Sequence, residues 1–523
     1  MHPLRRLSFW AAVMLGALIL LPTLWYYIGG DQALYAYVAW AWQVEGRPPF
    51  IGEIPGMYLA HYLVFSLFGA EPFSIRLADY LLQVLNLGLV AWFASRLEPR
   101  GKPALAGIIS AILYATYYLG LNFGNTVFKD GFVLTPLLLA CLILTMNSKR
   151  WFWLKACMVG VLLGAAFIFK QTYALAGAAF ALLYLAREWR NKSSWGRIVG
   201  IEFMLFIFAL IPLAWCLFEM RKWGQMTMFL EVYRDYMKQY YLTMGGGYLS
   251  SIKYFDYVAF QLFYRSQVLW LGMMLFILSQ LDRQKWKEQA ENQLKTVLGA
   301  MLLVCGLSVF IQAKGLEYHN IPLAGFAAIL AGPAFAGIAG LLAEKAGPLW
   351  RAALAGLMVL VILALQIASI DFRDILAIKQ NSFRPLETAY QNQLEDFKVA
   401  KYIAERTRPD DKVLCFGFLL DVNLLARRLA PTDFVYDILL AKPRPVDNQY
   451  APIQRKWQKQ LLDDLKQNPP LYFLVDAPPQ CVEAKEIDFL ELLNRIPDLK
   501  NFLEQRYQLE TVIGRARIYR LAK

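Results

Sequence analysis

The chain has 523 residues, 58% of them hydrophobic and only 18% charged, with a formal net charge of +13. Soluble globular chains carry about 25% charged residues and no long unbroken apolar runs, so this composition excludes an ordinary soluble enzyme. Nor does the basic excess signal a nucleic-acid binder; in a membrane chain it reads as Lys and Arg gathered on the cytoplasmic side.

In chain order, apolar runs of about 20 residues, enough to cross a bilayer, recur near 7–28, 76–95, 103–121, 131–147, 152–169, 172–187, 199–219, 266–281, 296–313, 320–342 and 351–370. They predict a polytopic α-helical membrane protein with about eleven transmembrane helices. The first run follows Arg5 and Arg6 as a signal peptide would, but it lacks a small-residue cleavage site and continues to Ile28. It is therefore expected to be a retained span. Arg96, Arg100 and Lys102 fall in one connection, and Lys149, Arg150 and Lys155 in the next but one. Arg187 to Arg197, Arg283 to Lys287, and Lys345 with Arg351 continue the alternation and mark the cytoplasmic side. An odd number of spans then puts the C-terminus outside, and short loops suggest the inner membrane of a bacterium.

Two outer segments are long. In the first, residues 29–75, Ala33–Val44 and Gly56–Phe68 read as amphipathic helices lying along the membrane surface. The second, Arg221 to Arg265, is rich in Tyr, Lys and Arg, and Gly245–Gly247 reads as a hinge. After Ile370 the composition changes. Residues 371–523 predict an extracytoplasmic α/β domain with a mainly parallel sheet, following a membrane module over 1–370. Its helices are expected near 387–407 and 453–467. Strands are expected at Lys412–Phe416, Phe434–Tyr436, Leu471–Val475, 507–513 and 516–521. Cys415 and Cys481 both fall in this domain; they either pair or remain buried thiols.

Ionisable groups near membrane depth are costly and therefore candidates for function. The outer-facing turns hold Asp31, Glu53, Lys129 with Asp130, Lys170, and Lys314 with Glu317 and His319. Carboxylates so placed can hold a divalent cation or take a proton from a hydroxyl. The cations can neutralise a phosphate. No Walker loop, HExxH, GxSxG or dinucleotide fingerprint occurs in a suitable context, so ATP-driven transport and the corresponding hydrolases and dehydrogenases are not indicated.

Gly30-Asp31-Gln32-Ala33-Leu34-Tyr35-Ala36 directly follows the first span, and Glu53-Ile54-Pro55-Gly56-Met57-Tyr58 and Leu67-Phe68-Gly69 precede the second. Asp130 opens the fourth span, Gly160 to Lys170 closes the fifth, and His319-Asn320-Ile321-Pro322 opens the tenth. The soluble part adds Val399-Ala400-Lys401-Tyr402-Ile403 and Pro409-Asp410-Asp411-Lys412-Val413. In order and placement these resemble the GT-C superfamily of polyprenyl-phosphate-sugar glycosyltransferases, in the branch of the protein mannosyltransferases and lipid A aminoarabinose transferases. The resemblance implies a GT-C fold and a catalytic role for Asp31. It implies a divalent metal (Mg, Mn or Zn) near Glu53 and Asp130, and donor-phosphate or pocket-rim positions at Lys170 and His319. Lys314, Arg234, Lys238 and Tyr240 join them as further donor-binding candidates. The implied partners are a polyprenyl-phosphate sugar and a glycan, lipid or protein acceptor, within the lipid bilayer and without nucleic acid. Two departures stand out: the family's Asp-Glu pair is Asp31-Gln32 here, and a Lys common after the second acid is Ile54.

Structural readings accompany these. Asp31 and Asp130 also suit helix N-caps, Glu53 a solvated loop acid, Lys170 a snorkelling side chain, and His319 a helix-start histidine. Arg76 and Asp79 read as an interfacial ion pair. The rival function is a transporter or flippase of a lipid-linked sugar, but neither paired halves nor broken midplane helices are evident.

Overall fold

The computed structural model describes residues 3–97, 102–146, 151–237, 266–280, 293–312, 316–342, 344, 347–370, 391–440, 451–477 and 489–522. Within them the chain is chiefly helical. The helices before the first long gap are α1 (Pro3–Leu20), α2 (Asp31–Glu45), α3 (Gly56–Phe68), α4 (Pro72–Leu97), α5 (Pro103–Gly120), α6 (Lys129–Thr145), α7 (Phe152–Phe169), α8 (Ala174–Arg190), α9 (Trp195–Lys222) and α10 (Met226–Glu231). Beyond it come α11 (Gln267–Ser279), α12 (Gln293–Gln312), α13 (Ile321–Leu342) and α14 (Pro348–Ala368).

Each of the eleven apolar runs falls on a helix. Among the described residues, eight helices are long and apolar enough to cross a membrane. The other three runs lie on α6 and α8, of 17 residues each, and on α11, of 13. The chain is thus an integral membrane protein. Chain contacts group it into two compact units: Met1–Leu24, Arg76–Cys216 and Gly245–Arg373 form one, and Trp25–Ile75, Leu217–Met244 and Asp374–Lys523 the other.

In the helical unit, small residues let backbones approach closely where lipid offers no hydrophobic drive between helices. A Cβ on Gly332 of α13 would lie 2.0 Å from Ser110 Oγ and 2.4 Å from the Ala106 carbonyl of α5. Ser110 Oγ donates to the Ala328 carbonyl at 2.7 Å, closing the same crossing.

In the other unit, the first outer segment packs with the C-terminal domain. Gly30 (φ +53°) and Gly46 (φ +75°) bound α2, and the Gly46 N–H donates to the Trp42 carbonyl at 2.9 Å. Residues 32–41 of α2 are all buried. α2 packs against α3 and against the short helix Leu420–Ala426.

The C-terminal domain contains helices Gln391–Arg406, Ala451–Gln467 and Pro497–Arg506, and strands β1 (Val413–Phe416), β2 (Tyr472–Asp476), β3 (Tyr507–Ile513) and β4 (Ala516–Leu521). The sheet order is β1-β2-β4-β3. Only β1 and β2 pair parallel; β2–β4 and β4–β3 are antiparallel. The expected mainly parallel sheet is therefore mixed. The reason is local: β3 and β4 are joined by a tight turn at Gly514 (φ +56°), a hairpin link that enforces antiparallel pairing. The expected strand at Phe434–Tyr436 is instead an isolated parallel bridge from Phe434 to Phe50. Cys415 is buried in β1, whereas Cys481 and Gly245–Gly247 lie outside the described residues.

Candidate functional site

The sequence candidates divide between the two units. Asp130, Lys170 and His319 belong to the helical unit, and Asp31, Glu53 and Arg234 to the other. Lys314, Lys238 and Tyr240 lie outside the described residues.

In the helical unit, Asp130 sits in the first turn of α6 and is fully buried. Lys170 follows the last residue of α7, where the backbone turns extended (φ −154°, ψ 115°) before a short 3-10 turn. This break swings the side chain back, and Lys170 Nζ lies 2.6 Å from Asp130 Oδ2. Lys170 is therefore an ion-pair partner, not a side chain snorkelling to the interface. Its ammonium is also 5.5 Å from the centroid of the Tyr318 ring. Tyr318 stacks flat on Phe128 (3.9 Å, 8°) and meets His319 edge-on at 4.6 Å. Glu317 accepts from Asn125 Nδ2 at 3.2 Å. One cluster thus joins the 122–130 loop, the end of α7 and the 3-10 turn before α13.

That loop is held under strain. Val127 is buried with φ +60°, a conformation that a β-branched residue adopts at a cost of about 1–3 kcal/mol. Its N–H donates to Tyr118 Oη at 3.1 Å, and that hydroxyl donates to Asp79 at 2.8 Å. Arg76 reinforces the loop, donating to Thr126 Oγ1 at 2.7 Å and to the Phe123 carbonyl at 3.3 Å. Asp79 continues inward through Gln83 and Asn86 to Thr135. Arg76 and Asp79 are each 1% exposed. The expected interfacial pair is thus a buried anchor, because Tyr118 and the 122–130 loop supply polar partners that spacing within one helix does not reveal.

In the other unit, Asp31 is the first residue of α2, and Gly30 occupies the N-cap position that Asp31 itself was equally suited to fill. Glu53 accepts from Tyr35 Oη at 3.0 Å. The Tyr35 hydroxyl is pushed well above its ordinary pKa by burial, and then by the charges of Glu53 and Asp31, so both acids lie within its electrostatic reach. Tyr436 of the C-terminal domain adds to the same shift, and His61 of α3 faces the Tyr35 ring at 6.4 Å. Burial, and after it the charge of Glu53, also raises Tyr233, next to the exposed Arg234. Tyr35, His61 and Tyr436 were not singled out as site residues in the sequence. Tyr35 was within reach, since it lies one helical turn after Asp31 and so on its face. A small cavity of about 10 Å³ opens between Gly30 and Leu34 on α2 and Gly417, Tyr436 and Asp437 of the domain.

Asp437 accepts from the Gly417 N–H at 2.7 Å, and burial raises its pKa to about 8. Beyond it, Arg515 links Asp396 (3.2 Å) and Asp476 (3.5 Å), and Tyr27 donates to Asp421. Among the described residues, no three His, Cys, Asp or Glu side chains are grouped to hold a metal ion. Lys170 already engages Asp130, and Tyr35 engages Glu53. As placed among the described residues, these donors form no divalent-ion site.

A family model described as dolichyl-phosphate-mannose-protein mannosyltransferase matches residues 53–215, less than half of the chain. Among curated proteins, no sequence matches it significantly. The structure of ArnT from Cupriavidus metallidurans bound to undecaprenyl phosphate superposes with a TM-score of 0.56 at 13% identity, covering 99% of this chain and 98% of ArnT. ArnT of the same organism in the apo state gives 0.55 at 12% identity, covering 98% and 96%. At such identity the likeness is one of fold. With that family model on residues 53–215 and that fold over nearly its whole length, the chain is similar to the GT-C glycosyltransferases of the protein mannosyltransferase and aminoarabinose transferase branch, and the resemblance read from its sequence is borne out.

Proposed function

We propose that this membrane glycosyltransferase moves a sugar from a polyprenyl-phosphate carrier to an acceptor hydroxyl at the outer face of the membrane. The observation that carries the reading is the ArnT fold over nearly the whole chain, in a protein whose relative binds undecaprenyl phosphate. In this reading the membrane module spans 1–370 in a bacterial inner membrane, and residues 371–523 form an extracytoplasmic domain.

Asp31 takes the acceptor's hydroxyl proton. The acceptor oxygen then bonds to the anomeric carbon as the bond from that carbon to the phosphate oxygen breaks. The phosphate leaves with the electron pair, and the configuration inverts. Lys170, His319 and Arg234 are the proposed donor-side groups, together with Lys314, Lys238 and Tyr240. Glu53 serves through its hydrogen bond with Tyr35, four residues beyond Asp31. No step is assigned to a divalent metal. A chelator arm in the assay decides that point, and loss of transfer restored by added Mg, Mn or Zn would return Glu53 and Asp130 to the role of metal ligands.

The test is transfer of radiolabelled sugar by the full chain in nanodiscs, across a panel of polyprenyl-phosphate sugars and acceptors. Asp31→Asn should cut release of free polyprenyl phosphate by about 10²–10⁴-fold, the usual worth of general-base assistance. Donor binding without release would favour the flippase instead.

A further inference from the structure

A second crevice lies inside the helical unit. It is a cavity of about 330 Å³ between α1, α4 and α5, with Phe9, Ala12, Trp92, Ala104 and Gly107 among its walls and Arg96 at its rim. That volume is at the lower end of the range for small-molecule sites. The Arg96 guanidinium is held 4.9 Å from the centroid of the Trp92 ring, and Ser8 and Ser95 line the wall beside it, the Ser95 hydroxyl donating to the Ala91 carbonyl at 2.7 Å. Arg96 is exposed and precedes the basic connection that includes Arg100 and Lys102.

A crevice between membrane helices has no bulk water to fill its apolar walls, and left empty it forfeits dispersion contacts. Acyl chain is the filler at hand. Among the described residues lining it, the one charged group is a cation, Arg96, over an aromatic face, which matches a phosphate and not an ammonium. We propose that this crevice binds one anionic glycerophospholipid of the bilayer, its phosphate on Arg96 and an acyl chain along Phe9, Ala12 and Ala104. Basic pockets of this kind between membrane helices select acidic headgroups. Arg96 belongs to none of the proposed chemical steps, so lipid retention and sugar transfer can fail separately.

The test is native mass spectrometry of the detergent-purified full chain, offered equal phosphatidylglycerol and phosphatidylcholine. The wild type should retain one lipid per chain and prefer phosphatidylglycerol by about fivefold, the discrimination expected of one basic side chain near a charged headgroup. Arg96→Gln should erase that preference, and because Arg96 is exposed the variant should fold normally, as gel filtration checks. Ala104→Phe, which fills the crevice, should release the retained lipid. Equal retention of both lipids by the wild type, an unchanged preference in Arg96→Gln, or undiminished retention in a monodisperse Ala104→Phe would each overturn the proposal. So would protection by inorganic phosphate alone, with no lipid retained.

Discussion

Lys170 Nζ and Asp130 Oδ2 lie 2.6 Å apart, with the Asp130 side chain wholly buried and that of Lys170 only 14% exposed. A pair so desolvated is costly to break from one side, because the survivor is left as an uncompensated charge. Lys170→Met, stripping the cation from a buried carboxylate, should destabilise the protein by about 3–5 kcal/mol. The double change Lys170→Met with Asp130→Asn should cost less than Lys170→Met alone. Thermal midpoints of the four proteins in one detergent form the cycle, and simple additivity of the two single changes would show that the groups do not couple.

The strained loop depends on one hydroxyl. Tyr118→Phe takes a donor from buried Asp79 and an acceptor from the Val127 N–H, a loss of about 1–3 kcal/mol. Hydrogen exchange across residues 122–130 should rise, and sugar transfer should fall, in a protein that still folds. Tyr114→Phe is the control: Tyr114 donates to Gln83 at 2.6 Å and does not hold Val127. Equal loosening of the loop in both variants would detach Tyr118 from this role.

Two buried carboxyls make the C-terminal domain sensitive to alkali. Burial raises Asp437 to about 8, and burial with the nearby Asp421 charge raises Asp396 to about 9, against the pull of Arg515. A carboxyl raised on folding binds its proton more tightly in the folded chain. Its stabilisation is complete below the unfolded value near 4 and is lost as pH climbs through the folded one. The thermal midpoint of the full chain should therefore fall between about pH 5 and 9. Asp437→Asn mimics the protonated acid and still accepts from Gly417, so it should flatten that decline. An identical slope in wild type and variant would place the effect elsewhere.

The class of this protein was legible in its sequence because a bilayer imposes length and apolarity on each span directly. All eleven apolar runs fall on helices, and β1, β2, β3 and β4 were found within a residue or two as short apolar stretches between charged helical ones. Asp31, Glu53, Asp130, Lys170 and His319 were nameable because charge near membrane depth is rare and stands out.

What escaped was everything that depends on a distant partner. Nothing in the Phe434–Tyr436 stretch announces that it would bridge to Phe50, or that α2 would be buried by a helix almost 400 residues later. Lys170 and Asp130 read equally well as separate interface charges until the break after Phe169 brings one to the other. Arg76 and Asp79 looked like neighbours on a helix surface, yet their partners come from the far end of α5 and the loop after it. Local chemistry determines which segments can enter a membrane or form a strand. Which polar groups meet inside is decided by non-local packing, since a buried donor or acceptor takes whichever partner the tertiary fold delivers.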